Sequence, residues 1–273
     1  MHRIRNTFDL AKASWHVLKA DKELLLLPVI SGVASLAVMA SFAVPFFLTN
    51  LDGQDLESPG TVGYVVMFVI YALLAFITIF FNAAVIHAAN ERLDGGDPTL
   101  RSALAGAWSR VGLILPWALV SATVSVILQA IEERAGFIGR LVVSLVGLAW
   151  SLVTFLVLPI LVIEGIGVRD ALGRSAEMFK RTWGENVAAQ VGFGLLGMVA
   201  GLLVIPVIAL GAAAGGAVLV TAIITSVAWI ILISVVLSAL GGIFQTALYR
   251  YAAGDNIGTF FDTTTLSGAF RPR

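Results

Sequence analysis

Six apolar stretches dominate this sequence, at about 24–48, 63–89, 111–131, 138–163, 187–213 and 217–249, with no Asp, Glu, Lys or Arg deep inside any of them. Roughly 20 apolar residues at a helical rise of about 1.5 Å cover the hydrocarbon core of a bilayer, and each stretch meets that length. Lipid offers the backbone no hydrogen bonds, so only helices or closed barrels can cross it. The stretches are continuously apolar and lack the two-residue alternation of a barrel strand, which leaves helices. Composition agrees, with 59% hydrophobic and 12% charged residues, against about 45–50% and 25% in soluble domains. The expected fold is an all-α membrane protein with six transmembrane helices, forming one polytopic domain over residues 1–273.

The connecting segments orient the chain, because Lys and Arg are retained on the cytoplasmic side. Fifteen of the 17 Lys and Arg fall in segments 1–23, 90–110, 164–186 and the tail from Arg250, all on one side of a six-span topology. The other side carries Arg134 and Arg140, while loop 50–62 has Asp52, Asp55 and Glu57 and no basic residue. Both termini are therefore expected in the cytoplasm. A signal peptide is a poor match, since the first apolar run is too long and follows 23 mostly amphipathic residues.

Three of the basic segments have helical amphipathicity. In the first, Ile4, Phe8, Ala11, Trp15 and Leu18 line one face, opposite Arg5, Asp9, Lys12, His16 and Lys19. In the second, Asp97 is the expected N-cap with Pro98 at N1, followed by a stripe of Leu100, Leu104, Ala107, Trp108 and Val111. In the third, Val168, Leu172, Ser175, Phe179 and Thr182 or Trp183 oppose Arg169, Arg174, Glu177 and Arg181. All three read as cytoplasmic interfacial helices, each preceding an outward and a return span. The pattern repeats over about 1–96, 97–166 and 167–255, which implies a pseudo-threefold arrangement and leaves a short tail at 256–273. The last helix is longer than the bilayer core, and Gly241 with Gly242 is the expected point of adjustment.

Several segments are also familiar. Ser14, Trp15, Val17–Glu23 with the following Leu run and Pro28, Arg181–Glu185, and Ala247–Tyr251 together resemble an uncharacterised family of bacterial six-helix membrane proteins, a domain of unknown function. The resemblance covers essentially the whole chain. It implies fold and topology, and a prokaryotic plasma membrane, and it assigns no chemistry.

Motifs that carry chemistry elsewhere lack their context here. Gly192–Gly197 spells G-x-G-x-x-G inside an apolar helix, with no strand before it and no acid before Asp255, so close helix packing through Gly197 and Gly201 is the better reading. The three histidines, His2, His16 and His87, include no pair one helical turn apart, and there is no cysteine, so neither a metalloprotease nor a thiolate metal site is encoded. The glycine-serine-glycine signature of rhomboid-type proteases is absent at Val29–Gly32. Asp94 and Asp97 flank a glycine pair and read as a turn and a cap. A formal net charge of zero removes any global attraction for nucleic acid. No cofactor, metal or catalytic group is expected, and an intramembrane enzyme ranks last.

Two functions remain. The first is non-enzymatic: basic amphipathic helices bind the anionic cytoplasmic leaflet, organising lipid or recruiting a membrane or cytoplasmic protein, through Lys12, Lys19, Lys22, Arg101, Arg110, Arg169, Arg174, Lys180 and Arg181. The second is a channel or facilitator for a neutral or amphiphilic solute, or for lipid. It would use an inward-facing vestibule of Asn82, His87, Gln190 and Gln245, whose structural alternative is hydrogen bonding between helices.

Overall fold

Helix boundaries in the computed structural model follow from where the backbone loses a donor or gains a cap. Residues 14–15, 18–19, 21–49 and 61–254 are described, with side chains at 44–49, 61–62, 64 and 181–193 excepted. Among them the helices are α1 (Leu26–Thr49), α2 (Thr61–Leu93), α3 (Leu100–Ser109), α4 (Val111–Arg134), α5 (Phe137–Thr154), α6 (Val168–Leu202), α7 (Val204–Ala214) and α8 (Gly216–Ala253), with no strand. A 3-10 turn, Lys22–Leu25, leads into α1, and a helical turn with a π turn, Val157–Glu164, follows α5. Six segments are long and apolar enough to cross a membrane: Lys22–Ala43, Val65–Leu93, Val111–Arg134, Phe137–Glu164, Gly194–Ala214 and Gly216–Ala253.

Packing is unequal along the bundle. The buried core gathers at the end that carries most of the basic residues, here called the charged end. It contains Leu24 and Leu27 at the foot of α1, Ala83–Ile86, Ala88 and Ala89 of α2, Ala103 and Ala107 of α3, Leu156–Val162, and Ala239–Arg250 of α8 with Gly241 excepted. Towards the opposite end the helices expose large apolar side chains, among them Leu36, Val65, Ile131, Leu145, Leu210 and Ile224. Such surface is unfavourable against water and neutral against lipid tails, so the pattern is that of a bundle embedded in a membrane. α2 is the hub, packing on α1, α3, α4 and α8, while α8 also packs on α6 and α7.

Several local expectations are corrected. The N-cap of α3 is Thr99, whose hydroxyl accepts from Ser102 N at 3.1 Å in a capping box with Ser102; Asp97 instead pairs with Arg92. The hydroxyl sits at the capping distance, and the carboxylate two residues earlier finds a stronger cationic partner. The third basic segment is continuous with the fifth span as the single helix α6, because nothing between 168 and 202 breaks it. The break falls at Leu203, where Pro206 withholds the N–H that Leu202 O would accept. α8 runs unbroken through Gly241 and Gly242. Gly242 serves close approach, since a Cβ there would lie 2.6 Å from Val85 Cγ1 and 3.0 Å from Asn82 Oδ1.

The buried faces of the basic segments coincide only in part with the apolar stripes, sharing Leu18, Ala107 and Ser175 with them. Ser14 and Leu18 are buried where Trp15 is 39% exposed. On α3 the buried line is Ala103 and Ala107, and Trp108 is 66% exposed. On α6 it is Ala171, Ser175 and Met178. Residues 1–13, loop 50–60 and the tail 256–273 lie outside the described residues, and with them most of the first amphipathic segment and the acids Asp52, Asp55 and Glu57.

Candidate functional site

The fourth span is broken at its charged end, and the break draws polar side chains from the rest of the bundle. Pro159 has no N–H, so the carbonyl of Phe155 loses its helical donor. The Gln245 side chain of α8 supplies the replacement, donating from Nε2 to Phe155 O. Ser175 of α6 donates to Val153 O at 2.5 Å. Arg110, between α3 and α4, donates from Nε to Val162 O at 3.2 Å. Three other parts of the chain thus satisfy carbonyls that lipid could not. The π turn Ile160–Glu164 ends on Gly165 at φ +69°, where a side chain would be strained and would collide with the Arg110 guanidinium. With these carbonyls already engaged, the break is a structural joint and not a cation-binding cage.

Ion pairs close the charged end. Arg92 at the end of α2 makes a two-pronged contact with Asp21, before α1, and reaches Asp97 at 2.8 Å. Asp21 is 7% exposed and Arg92 18%. Arg250 pairs with Asp94 at 2.6 Å. Glu164 accepts from Tyr249 at 2.8 Å and from Arg174 at 2.7 Å. The hydrogen bond with Glu164, followed by its charge, holds Arg174 above the ordinary arginine value. Glu23 accepts from Leu100 N at 3.1 Å, tying the foot of α1 to the start of α3.

These contacts sort the basic residues into two groups. Arg92, Arg110, Arg174 and Arg250 have partners within the protein, Arg174 while still 48% exposed. Lys19, Lys22, Arg101, Arg169 and Lys180 are exposed and form no ion pair among the described residues. They share the rim with exposed Trp15 and Trp108. Lys19 Nζ lies 5.5 Å from the Trp15 ring centroid, and Trp108 stands edge-on to Phe80 at 6.1 Å. Exposed Asp170 and Glu177 interleave with Arg169 and Lys180. Lys12 and the Arg181 side chain lie outside the described residues.

Of the four polar residues expected to form a vestibule, three have described side chains, and these make different contacts. Gln245 is buried on Phe155 O, and the His87 ring fills the space that a side chain at Gly106 would need. The side chain of Gln190 is outside the described residues. Asn82 lines a cavity of about 380 Å³ between α1, α2 and α8. Its polar lining consists of three pairs, each spaced by one helical turn: Ser31 and Ser35, Thr78 and Asn82, Ser234 and Ser238. The spacing is visible in the sequence, but serine in an apolar helix carries no sign of which face it will occupy.

Among the described residues, Gly197 approaches α8, with a Cβ there lying 3.1 Å from Leu237 Cδ1, whereas a Cβ at Gly201 would meet open space. The glycine run is thus helix packing at one of its members. No group of three or more His, Cys, Asp or Glu that could hold a metal is present among the described residues. No curated protein and no solved structure matches the chain. Residues 61–260, from the start of α2 past the end of α8, match the model of a family of unknown function, DUF6159, and the protein belongs to that family.

Proposed function

We propose that this is a non-enzymatic membrane protein that holds acidic lipid through its charged end, set at the cytoplasmic face of a prokaryotic inner membrane. The observation that supports this reading is the sorting of the cations. Lys19, Lys22, Arg101, Arg169 and Lys180 face outward without ion pairs among the described residues, Lys19 beside the exposed indole of Trp15, and the indole of Trp108 is exposed as well. Indoles prefer the headgroup level, and each cation adds about 1 kcal/mol of attraction to an acidic surface. The amphipathic segments that carry these residues fit a position in the interface, in the pseudo-threefold pattern of the sequence.

The test is native mass spectrometry of the purified full chain titrated with phosphatidylglycerol, comparing the natural protein with a variant in which the five cations are Gln. The reading expects at least a tenfold loss of affinity, and a gain when Asp170→Asn and Glu177→Gln remove the interleaved acids. Unchanged binding in the five-fold variant would overturn it. Terminal tags in cells check that orientation is retained, because the same charges set topology.

A further inference from the structure

The cavity between α1, α2 and α8 is built like a site for a ligand that accepts hydrogen bonds and carries no charge. α2 forms its floor with Thr78 and Asn82, α1 one wall with Ser31 and Ser35, and α8 the other with Ser234 and Ser238. Hydroxyls within apolar helices are commonly silenced by the carbonyl one turn back, as Thr78 is on Leu74 O at 2.8 Å and Thr225 on Thr221 O at 2.8 Å. Ser31, Ser35, Ser234 and Ser238 make no hydrogen bond among the described residues, and neither does the Asn82 side chain. Ser31, Ser35 and Asn82 are half-buried and Ser234 and Ser238 exposed along this cavity, and lipid tails lying against them would offer nothing to accept from their donors. No Asp, Glu, Lys, Arg or His lines the cavity.

Depth identifies the acceptor. Ser234 and Ser238 lie 18 and 22 residues into α8, roughly 27–33 Å from its uncharged end at about 1.5 Å per residue. Thr78 and Asn82 lie at a matching level, 17 and 21 residues into α2. A hydrocarbon core of about 30 Å therefore ends at these side chains, where the ester carbonyls of a diacyl lipid begin. Towards the charged end the cavity lining includes Val85, against which Gly242 of α8 packs closely. Between α1 and α8, which touch little, it faces the bilayer. A volume of about 380 Å³ suits one ligand segment and not a whole lipid.

We infer that this cavity is a seat for the glycerol-ester region of a single diacyl lipid from the leaflet on the charged side, its ester carbonyls accepting from the serine pairs and its chains lying along the exposed apolar walls. The inference deepens the lipid-binding reading, but at a site that is indifferent to headgroup charge and separate from the basic rim.

The test uses the full chain in detergent, titrated in native mass spectrometry with phosphatidylcholine and with its ether-linked analogue, which keeps the headgroup and lacks the carbonyls. One variant combines Ser31→Ala, Ser35→Ala, Ser234→Ala and Ser238→Ala. The other is Gly32→Leu, which fills the cavity from a position where a Cβ would meet nothing within 4 Å. The natural protein should retain one ester lipid at least tenfold more strongly than either variant does, and at least tenfold more strongly than it retains the ether lipid. Equal retention of ester and ether lipid, retention unchanged in both variants, or no retained lipid at all would overturn the inference. So would a natural dimer that Gly32→Leu dissociates while lipid binding persists, because a second copy would then fill the cavity. The five-fold rim variant should still retain phosphatidylcholine, so the rim and the cavity fail separately.

Discussion

Replacing Gln245 by Met isolates the joint in the fourth span. Methionine keeps the length of the side chain and removes the amide that donates to Phe155 O. Pro159 offers no substitute donor, and the surrounding residues, Leu156 at 1% exposure and Val157 at 0%, keep water away. A buried carbonyl left unpaired costs about 1–3 kcal/mol, and hydrogen bonds between membrane helices average about 0.6 with a maximum near 1.7, so the expected loss is about 1–2 kcal/mol. That corresponds to roughly a 5- to 30-fold shift of the folding equilibrium. Pro159→Ala returns an N–H one turn beyond the same carbonyl, so Gln245→Met in that background should cost less than about 0.5 kcal/mol, leaving a coupling of about 1 kcal/mol. Unfolding in mixed micelles can be followed by tryptophan fluorescence, because Trp150 stacks on Trp117 at 6.2 Å close to the break. An equal penalty in the proline and alanine backgrounds would refute the account of the joint.

Two further substitutions probe the charged end by the same assay. Gly242→Ala should destabilise by about 1–3 kcal/mol through collision with buried Val85, whereas Gly241→Ala, which meets nothing within 4 Å, should be neutral or stabilising by up to about 1 kcal/mol; equal effects at the two positions would contradict the close approach of α8 to α2. Asp21→Asn should cost about 1.5–3 kcal/mol, because it weakens a charge-assisted pair with Arg92 that is largely shielded from water, and a change below about 0.3 kcal/mol would show that Asp97 alone holds the arginine.

How much of this was legible in the sequence differs between the helices and their contacts. The six spans follow from local apolar length, and each of the six stretches overlaps one of the six membrane-length apolar segments found among the described residues. The proline breaks are local too: a missing N–H marks where a carbonyl will need another partner. Which partner it finds is not local. Phe155 and Gln245 stand 90 residues apart in sequence, and Gln245 read there as one of several neutral polar groups at a helix end. Asn82 was singled out in the sequence, and Ser31 only within the protease signature at Val29–Gly32, but Ser35, Thr78, Ser234 and Ser238 were not.

Apolar periodicity found part of the buried face of each basic segment, Leu18, Ala107 and Ser175 among the described residues, and left out Ala103, Ala171 and Met178, and the reason is physical. In water, apolar residues sort inward; in a membrane protein, lipid and core both accept them, so one stripe holds Leu100 and Leu104 packed on the core and Trp108 66% exposed. Small residues decide, because Ala103, Ala107, Ala171 and Gly242 let backbones approach where Leu and Trp cannot. The chain by itself therefore determined that it is helical, how many times it can cross a bilayer and which end carries its charge. Only the tertiary structure decided which cations are consumed by internal pairs, which carbonyls borrow a side chain, and which hydroxyls are left facing a cavity, because each of those outcomes depends on distances between helices that no single apolar run encodes.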